Sequence, residues 1–413
     1  MKRILSLFGF VLLVAVVASA QLTFSVNDLL GVKRLTDPQL SPDGKTVAYT
    51  VGVVDKAANR VINQIFTVGI DGSRPRQITS NPGSSSSPRW SPDGKRIAFI
   101  TGGQVWTMKP DGDDKEEVTK ISTGAGGPLW SPDGKWIAFV SEVYPECSND
   151  DCNKAEDERV EGSKVKAHVT ERLLFKHWVE WRDRKRSHVF VVPARGGVAR
   201  DVTPGDFDSP PYAASSSVDY AFSSDGTSIA YLRNPDKIEA TSTNSDIYLQ
   251  PLTGGPAKNI TAGMNGYDAT PVFTSDGKYI LFRSQETPTF EADRWRIMRY
   301  DRGTGQIVEL TRGFDQQVDD MILSPDDKTI YFSAGERGRA PIFSVPVEPD
   351  FRSRVATHVR KVGDGGYPSS LNISPDGRTL VFAANSMTSP NEVVRMNTDG
   401  TALTAITSIN NAG

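Results

Sequence analysis

The sequence predicts an all-β fold, a seven-bladed β-propeller of four-stranded blades with a mixed insertion in blade three. Three observations carry this. A Ser-Pro-Asp-Gly turn recurs seven times, each copy precedes an apolar run of strand length, and most units close on an apolar residue followed by Thr. The 413 residues exceed what one ordinary hydrophobic core spans, roughly 250–300 residues. A chain of this length is therefore several domains or one domain built of repeats. With 36 Gly and 26 Pro it is also rich in turn formers, about 15% of the chain against roughly 12% in average proteins.

The turn reads Ser41-Pro42-Asp43-Gly44 and returns at 91–94 and 131–134. Looser copies follow at 223–226, 274–277, 324–327 and 374–377, so the spacings are 50, 40, 92, 51, 50 and 50. Pro pre-sets φ at the second turn position, Asp bonds its own backbone, and Gly takes positive φ. Asp327 replaces Gly in the sixth copy, and Asp tolerates the left-handed region better than most residues. Behind the turns lie the runs 46–49, 96–100, 136–140, 228–231, 279–282, 329–332 and 379–382. They are almost continuously apolar, as a strand buried on both faces must be.

A second hairpin completes each unit, its strands beginning near Ile65, Val105, Val189, Ile247, Arg296, Ile342 and Val393. The closing pairs are Ile78-Thr79, Val118-Thr119, Val202-Thr203, Ile260-Thr261, Leu310-Thr311 and Ile406-Thr407. The sixth unit departs, ending near Val359-Arg360-Lys361-Val362. Four strands per period of about 50 residues are the signature of propeller blades, each covering its neighbour's apolar face. No spare strand is evident at either end, so the ring is expected to close by direct contact of blades one and seven.

Unit three is longer because of an insertion over about 143–186. It contains Cys147 and Cys152, the only cysteines, which are expected to pair in an oxidising compartment. Val165, Val169 and Leu173 fit a short helix over 164–176. Phe175, His177, Val179 and Trp181 alternate as a strand does, and the sequence leaves the boundary open. In an up-and-down blade, this loop between the second and third strands shares a face with the blade-to-blade links and both termini.

At the N-terminus, Lys2 and Arg3 precede an apolar run over 4–18 and Ala18-Ser19-Ala20. This pattern predicts a signal peptide over 1–20, cut before Gln21, and a periplasmic or secreted protein. A net charge of −3 argues against a nucleic-acid partner, and no later segment is apolar enough for stable membrane insertion. A homo-oligomer is compatible with the sequence.

The sequence has no Gly-x-Ser-x-Gly elbow, no His-Glu-x-x-His pair and no phosphate-binding loop, so no catalytic residue, metal or cofactor is expected. Asn149-Asp150-Asp151 reads as a solvated loop more readily than a Ca²⁺ site. His177, Trp178 and Trp181 either pin the insertion to the propeller rim or wall a substrate cavity. Glu142, Glu180 and Arg182 complete the candidates for substrate gating. A carboxylate facing a cavity can bind a peptide's α-amine.

Two stretches carry a resemblance. They are Val26-Asn27-Asp28-Leu29-Leu30 with Asp37-Pro38-Gln39-Leu40, and Tyr144-Pro145-Glu146-Cys147 continuing to Leu174-Phe175-Lys176-His177-Trp178-Val179-Glu180-Trp181-Arg182-Asp183. With the repeats, they resemble the N-terminal propeller of prolyl-oligopeptidase-family serine peptidases, nearest the dipeptidyl peptidase five and acylaminoacyl peptidase branch. The resemblance covers essentially the whole chain after residue 20. It implies a propeller that admits short peptides to a cavity shared with an α/β-hydrolase domain carrying Ser, Asp and His. No position here matches those catalytic residues, so the chain as it stands is expected not to hydrolyse peptides. The alternative is a stand-alone protein-binding propeller similar to periplasmic TolB.

Overall fold

The computed structural model describes residues 24–171, 173–177, 179–181, 184–211, 219–352 and 357–410. The signal-peptide reading of residues 1–20 lies outside them, as do Trp178, Arg182 and the side chains of His177 and Glu180. Seven four-stranded antiparallel sheets follow one another along the chain, with their strands, here A to D, in sequence order. Blade 1 is Arg34–Leu40, Thr46–Asp55, Arg60–Gly69 and Arg76–Gln77. Blade 7 is Tyr367–Ile373, Thr379–Ser386, Ser389–Asn397 and Thr404–Ala405. Among the described residues no strand passes from one blade to another, and blades 1 and 7 meet directly as the sequence predicts.

Each predicted turn uses the same atoms. In blade 1 the Ser41 hydroxyl donates to Asp43 Oδ1 at 2.6 Å and accepts from Thr46 N at 3.0 Å, while Asp43 Oδ1 accepts from Lys45 N at 3.1 Å. Ser374 and Asp376 repeat this in blade 7, and Thr274 replaces Ser in blade 5 because its hydroxyl does the same work. The Ser41 hydroxyl is the main cause that lowers the Asp43 pKa, and Asp93, Asp225, Asp326 and Asp376 are lowered the same way. For Asp133 burial works upward, yet the bonds from Ser131 and Lys135 bring it down to about 2.

A carboxylate lowered on folding stabilises fully above its unfolded pKa, about 4, and the contribution is lost as pH falls through the folded value. Acidification from about pH 4 to pH 2 is therefore expected to unfold the ring cooperatively, with a shallower slope in Ser374→Ala. Circular dichroism reads this, and stability independent of pH in that window contradicts it.

The closing Thr also has a mechanism. Thr79 Oγ1 accepts from Ile65 N at 2.8 Å and donates to Gln64 Oε1 at 2.7 Å, tying strand C to the chain beyond strand D. Thr119 with Gln104 and Thr407 with Glu392 repeat the bond. The apolar residue before each Thr is buried between blades.

Strand B supplies the core. Tyr49, Phe99, Phe139, Phe282, Phe332 and Phe382 are fully buried and occupy equivalent positions. The clusters they join cross blade boundaries. One unites Ile65 and Ile78 of blade 1 with Phe99 and Met108 of blade 2, and another unites Leu35 and Tyr49 of blade 1 with Val381 and Val393 of blade 7.

Strands A face the axis, where neighbouring ones touch, and here each seam has its own hydrogen bond. Between blades 7 and 1, Asn372 Oδ1 accepts from Leu40 N at 3.1 Å and its Nδ2 donates to Pro38 O at 2.8 Å. Trp90 Nε1 donates to Gln39 O at 2.9 Å, and Trp130 Nε1 to Arg89 O at 3.0 Å. The Tyr220 hydroxyl donates to Gly127 O across the next seam. Thr270 N then donates to Asp219 Oδ1 at 2.8 Å, Arg283 to Asp319 O, and Leu371 N to Asp320 Oδ2 at 2.8 Å. An inner belt of side-chain bonds thus crosses all seven seams.

Candidate functional site

The insertion leaves blade 3 between strand B, Trp136–Val143, and strand C, Arg186–Pro193. Its helix is Asp150–Gly162, upstream of the 164–176 stretch that the periodicity indicated. The reason is local. Asn149 caps this helix, its side chain accepting from Cys152 N at 3.0 Å, and two Asp residues complement the first turn. Val165, Val169 and Leu173 have no apolar surface to bury and are 68%, 84% and 64% exposed. The alternation over 175–181 yields only a small hairpin of Lys176–His177 with Glu180–Trp181.

Cys147 and Cys152 form a disulfide across the helix N-terminus. The helix is held to the strand B–C stem by polar contacts. Buried Asn153 accepts from Tyr144 N at 2.8 Å, the Tyr144 hydroxyl donates to Asp157 at 3.1 Å, and Lys185 Nζ pairs with Asp157 at 2.7 Å. Arg184 reaches Glu156 at 3.3 Å and also pairs with Glu146. Burial, aided by Asp157, pushes the Tyr144 phenol up to about 12. Asp150 accepts from Ser122 N and its hydroxyl, so it braces the helix start. Among the described residues, no group of three or more His, Cys, Asp or Glu is disposed to hold a metal.

Beside the insertion lies a cavity of about 890 Å³. Its walls are the insertion (Val169, Leu173), the link from blade 3 to blade 4 (Asp206, Asp208) and the B–C loops of blades 4 and 5 (Thr241, Glu291). Blade-to-blade links and B–C loops therefore share this face. The first and last described stretches meet there too, since Asn410 exchanges two 2.9 Å bonds with Lys33. Among the described residues the lining carries six carboxylates, Glu146, Glu171, Asp206, Asp208, Glu239 and Glu291, with Arg184 and Arg186. Arg186 Nε contacts Asp206 at 3.1 Å, and Asp208 accepts from Ser187 N at 2.9 Å. Such a pocket favours a ligand with a cationic group and some apolar surface.

Of the sequence-predicted gating residues, Glu142 is exposed on the stem, opposite Ser187, and is not part of the lining. Trp181 stacks on His168 at 4.2 Å, with Lys176 Nζ 5.0 Å from its ring, so its contacts lie inside the insertion's own loop. The lining acids escaped sequence reasoning as a group because they come from four separate segments with no common motif. His188 has the partners of a catalytic base but not the setting. It is buried, with Nδ1 2.7 Å from Asp201 and Nε2 2.8 Å from Gly205 O, so both ring nitrogens are engaged.

Comparison with known proteins agrees with this architecture. The model of the TolB beta propeller domain, PD40, matches residues 23–163. Dipeptidyl-peptidase 5 of Porphyromonas gingivalis is 32% identical over 400 residues, covering 92% of this chain and 55% of that protein. Dipeptidyl-peptidase 5 of Porphyromonas endodontalis is 34% identical over 392 residues, with the same coverage. The chain thus spans about half the length of the curated relatives it matches. In fold it is similar to the acylaminoacyl peptidase of Pyrococcus horikoshii, with a TM-score of 0.68 at 16% identity over 92% of this chain and 53% of that one. The β-propeller domain of the Trilobed protease from Pyrococcus furiosus, of open velcro topology, gives 0.60 at 14% identity, over 92% of this chain and 99% of that one. The chain is therefore a seven-bladed β-propeller that is similar in sequence to about half the length of the dipeptidyl-peptidase 5 proteins.

Proposed function

We propose that the chain is the substrate-gating and substrate-binding propeller of an exported serine peptidase of the dipeptidyl or acylaminoacyl type. It acts on short peptides together with an α/β-hydrolase domain that supplies the catalytic Ser, Asp and His. The observation that carries this is the 32–34% identity to dipeptidyl-peptidase 5 over 92% of the chain. The acidic cavity supports it, because it opens on the face where the first and last described stretches meet and a peptide's α-amine is cationic. Export rests on the signal-peptide pattern of residues 1–20.

In this reading the propeller holds peptide and the chemistry lies elsewhere. The purified 413-residue chain is expected to release no product from dipeptidyl fluorogenic substrates and to take no label from a serine-reactive fluorophosphonate. Turnover or labelling by the chain alone contradicts the division of labour.

A further inference from the structure

Two short segments in the seam between blades 4 and 5 hold a cluster of buried oxygens that make no hydrogen bond. They are Asn244 Oδ1, Ser245 Oγ, Asp246 Oδ1 and both carboxyl oxygens of Asp268. Buried polar atoms are nearly always paired, so such a concentration asks for a cause. The backbone brings the segments side by side. Ser245 and Tyr267 form a parallel bridge, with Asp268 N donating to Ser245 O at 2.9 Å and Ser245 N to Gly266 O at 3.3 Å. One residue on from the bridge, Asp246 and Asp268 fall on a common face, since side chains alternate along extended backbone. Asp268 is 0% exposed and Asp246 3%.

Donors are too few for two carboxylates. Asp246 Oδ2 accepts from Asn259 Nδ2 at 2.6 Å. Thr261 is the closing Thr of blade 4, and the equivalent Thr79 and Thr119 give their hydroxyl protons to the residues equivalent to Asp246. Ser284, in register opposite Asp268, donates to Gln285 O at 3.0 Å instead. Ionised, Asp268 would be a charge in a dry seam beside a second carboxylate, with only the Ser284 and Thr261 hydroxyls near it. Protonated, it has a hydrogen to give to Asp246.

We propose that Asp246 and Asp268 share one proton and form a pH-sensitive latch, which holds the blade 4 wall of the cavity against blade 5. The wall is the B–C loop of blade 4 leading to Asn244, and it meets blade 5 again where Thr289 N donates to Thr243 Oγ1 at 2.9 Å. The charged groups around the pair are Arg233, Asp236 and Arg296. Arg233, opposite Asp246 in the strand B–C register of blade 4, has its guanidinium 4.0 Å from the Phe207 ring centre and 5.8 Å from that of Tyr248. Burial raises Asp246, and Asp236, on the loop before strand C of blade 4, raises it further. Arg296, on strand C of blade 5, offsets Asp268 only slightly, because its guanidinium is engaged by Glu286 at 2.9 Å and Glu309 at 3.8 Å. Burial is the main cause that pushes Asp268 up to about 7, with Asp246 adding to it and the nearby Ser284 and Thr261 hydroxyls opposing.

The direction follows from proton linkage. The folded chain keeps a proton that the unfolded chain releases, so this pair favours folding most below about pH 4 and loses that advantage as pH rises to about 7. Above that both carboxylates are charged, they repel, and the bridge at Ser245 and Tyr267 loosens. This window is separate from that of the turn aspartates, which titrate at more acidic pH.

The test follows the thermal midpoint of the chain from about pH 5 to pH 8 in EDTA, for wild type, Asp268→Asn and Asp246→Asn, with hydrogen exchange at 244–247 and 266–268. Wild type is expected to lose several degrees across the window and to lose protection at those amides. Asp268→Asn, which donates without titrating, is expected to be flat and to exceed wild type at the alkaline end. Parallel slopes in wild type and Asp268→Asn overturn the proposal. If Asp268→Asn does not fold, Asp246→Asn decides, because removing the neighbouring charge moves the slope to lower pH and an unmoved slope is contradictory. Ca²⁺ that raises the wild-type midpoint at alkaline pH also overturns it, since a cation then neutralises the pair.

Discussion

Phe332→Ala is expected to destabilise the ring by about 3–5 kcal/mol, the cost of truncating a fully buried aromatic side chain. Phe332 is 0% exposed on strand B of blade 6, Thr329–Ala334. Its ring stacks on Phe343 at 5.8 Å and meets Phe314 edge-on at 5.6 Å. The same cluster contains Leu281, Ile297 and Leu310 of blade 5, so the cavity left behind opens at a seam and not within one blade. Close packing on both sides limits collapse into the space. Phe332→Leu keeps most of the volume and is expected to cost less than about 1.5 kcal/mol. Denaturant unfolding of the two variants measures the contrast. A loss below about 1 kcal/mol for Phe332→Ala means that blades 5 and 6 do not depend on this cluster.

Asn372→Ala is expected to weaken the seam where the ring closes. It strands two main-chain groups, Leu40 N and Pro38 O, at roughly 1–3 kcal/mol for each buried group left unpaired. Among the described residues no shared strand compensates, because blades 1 and 7 each draw their four strands from their own stretch of chain. The opening is therefore local first. Hydrogen exchange should rise in Arg34–Leu40 and Tyr367–Ile373 before the other blades respond. Asn410→Ala removes the exposed bonds to Lys33 at the edge of the same seam, and water replaces them, so a much smaller change is expected. Equal exchange in all blades of Asn372→Ala shows that closure does not rest on this residue.

The repeats were legible because they are local. A turn needs Ser or Thr, Asp and a residue tolerant of positive φ within four positions, and that chemistry recurs in all seven blades. The closing Thr was visible as a pattern, though its partner, Gln64 in one blade and Glu392 in another, varies too much to form a motif. The inner belt was not legible for the same reason. Asn372, Trp90, Trp130, Tyr220, Asp219, Arg283 and Asp320 solve one geometric problem with five residue types. In the insertion, three apolar residues at helical spacing pointed to 164–176, but spacing stabilises a helix only where a core covers that face. Capping by Asn149 decided the position instead. The cavity acids are brought together by the packing of blades 3, 4 and 5, which no local pattern encodes.

The most direct measurement is the footprint of a short peptide with a free amino terminus on the chain, read by hydrogen exchange. Protection is expected in the insertion around Val169–Leu174, in the blade 4 loop at Glu239–Thr243 and near Glu291, all on the face where the first and last described stretches meet. An amino-terminally acetylated peptide, which lacks the cation, is expected to protect them less. Protection confined to the opposite face, at the Ser-x-Asp-Gly turns, contradicts the proposal that this propeller is the substrate-facing part of a peptidase, and so does equal binding of both peptides outside the cavity.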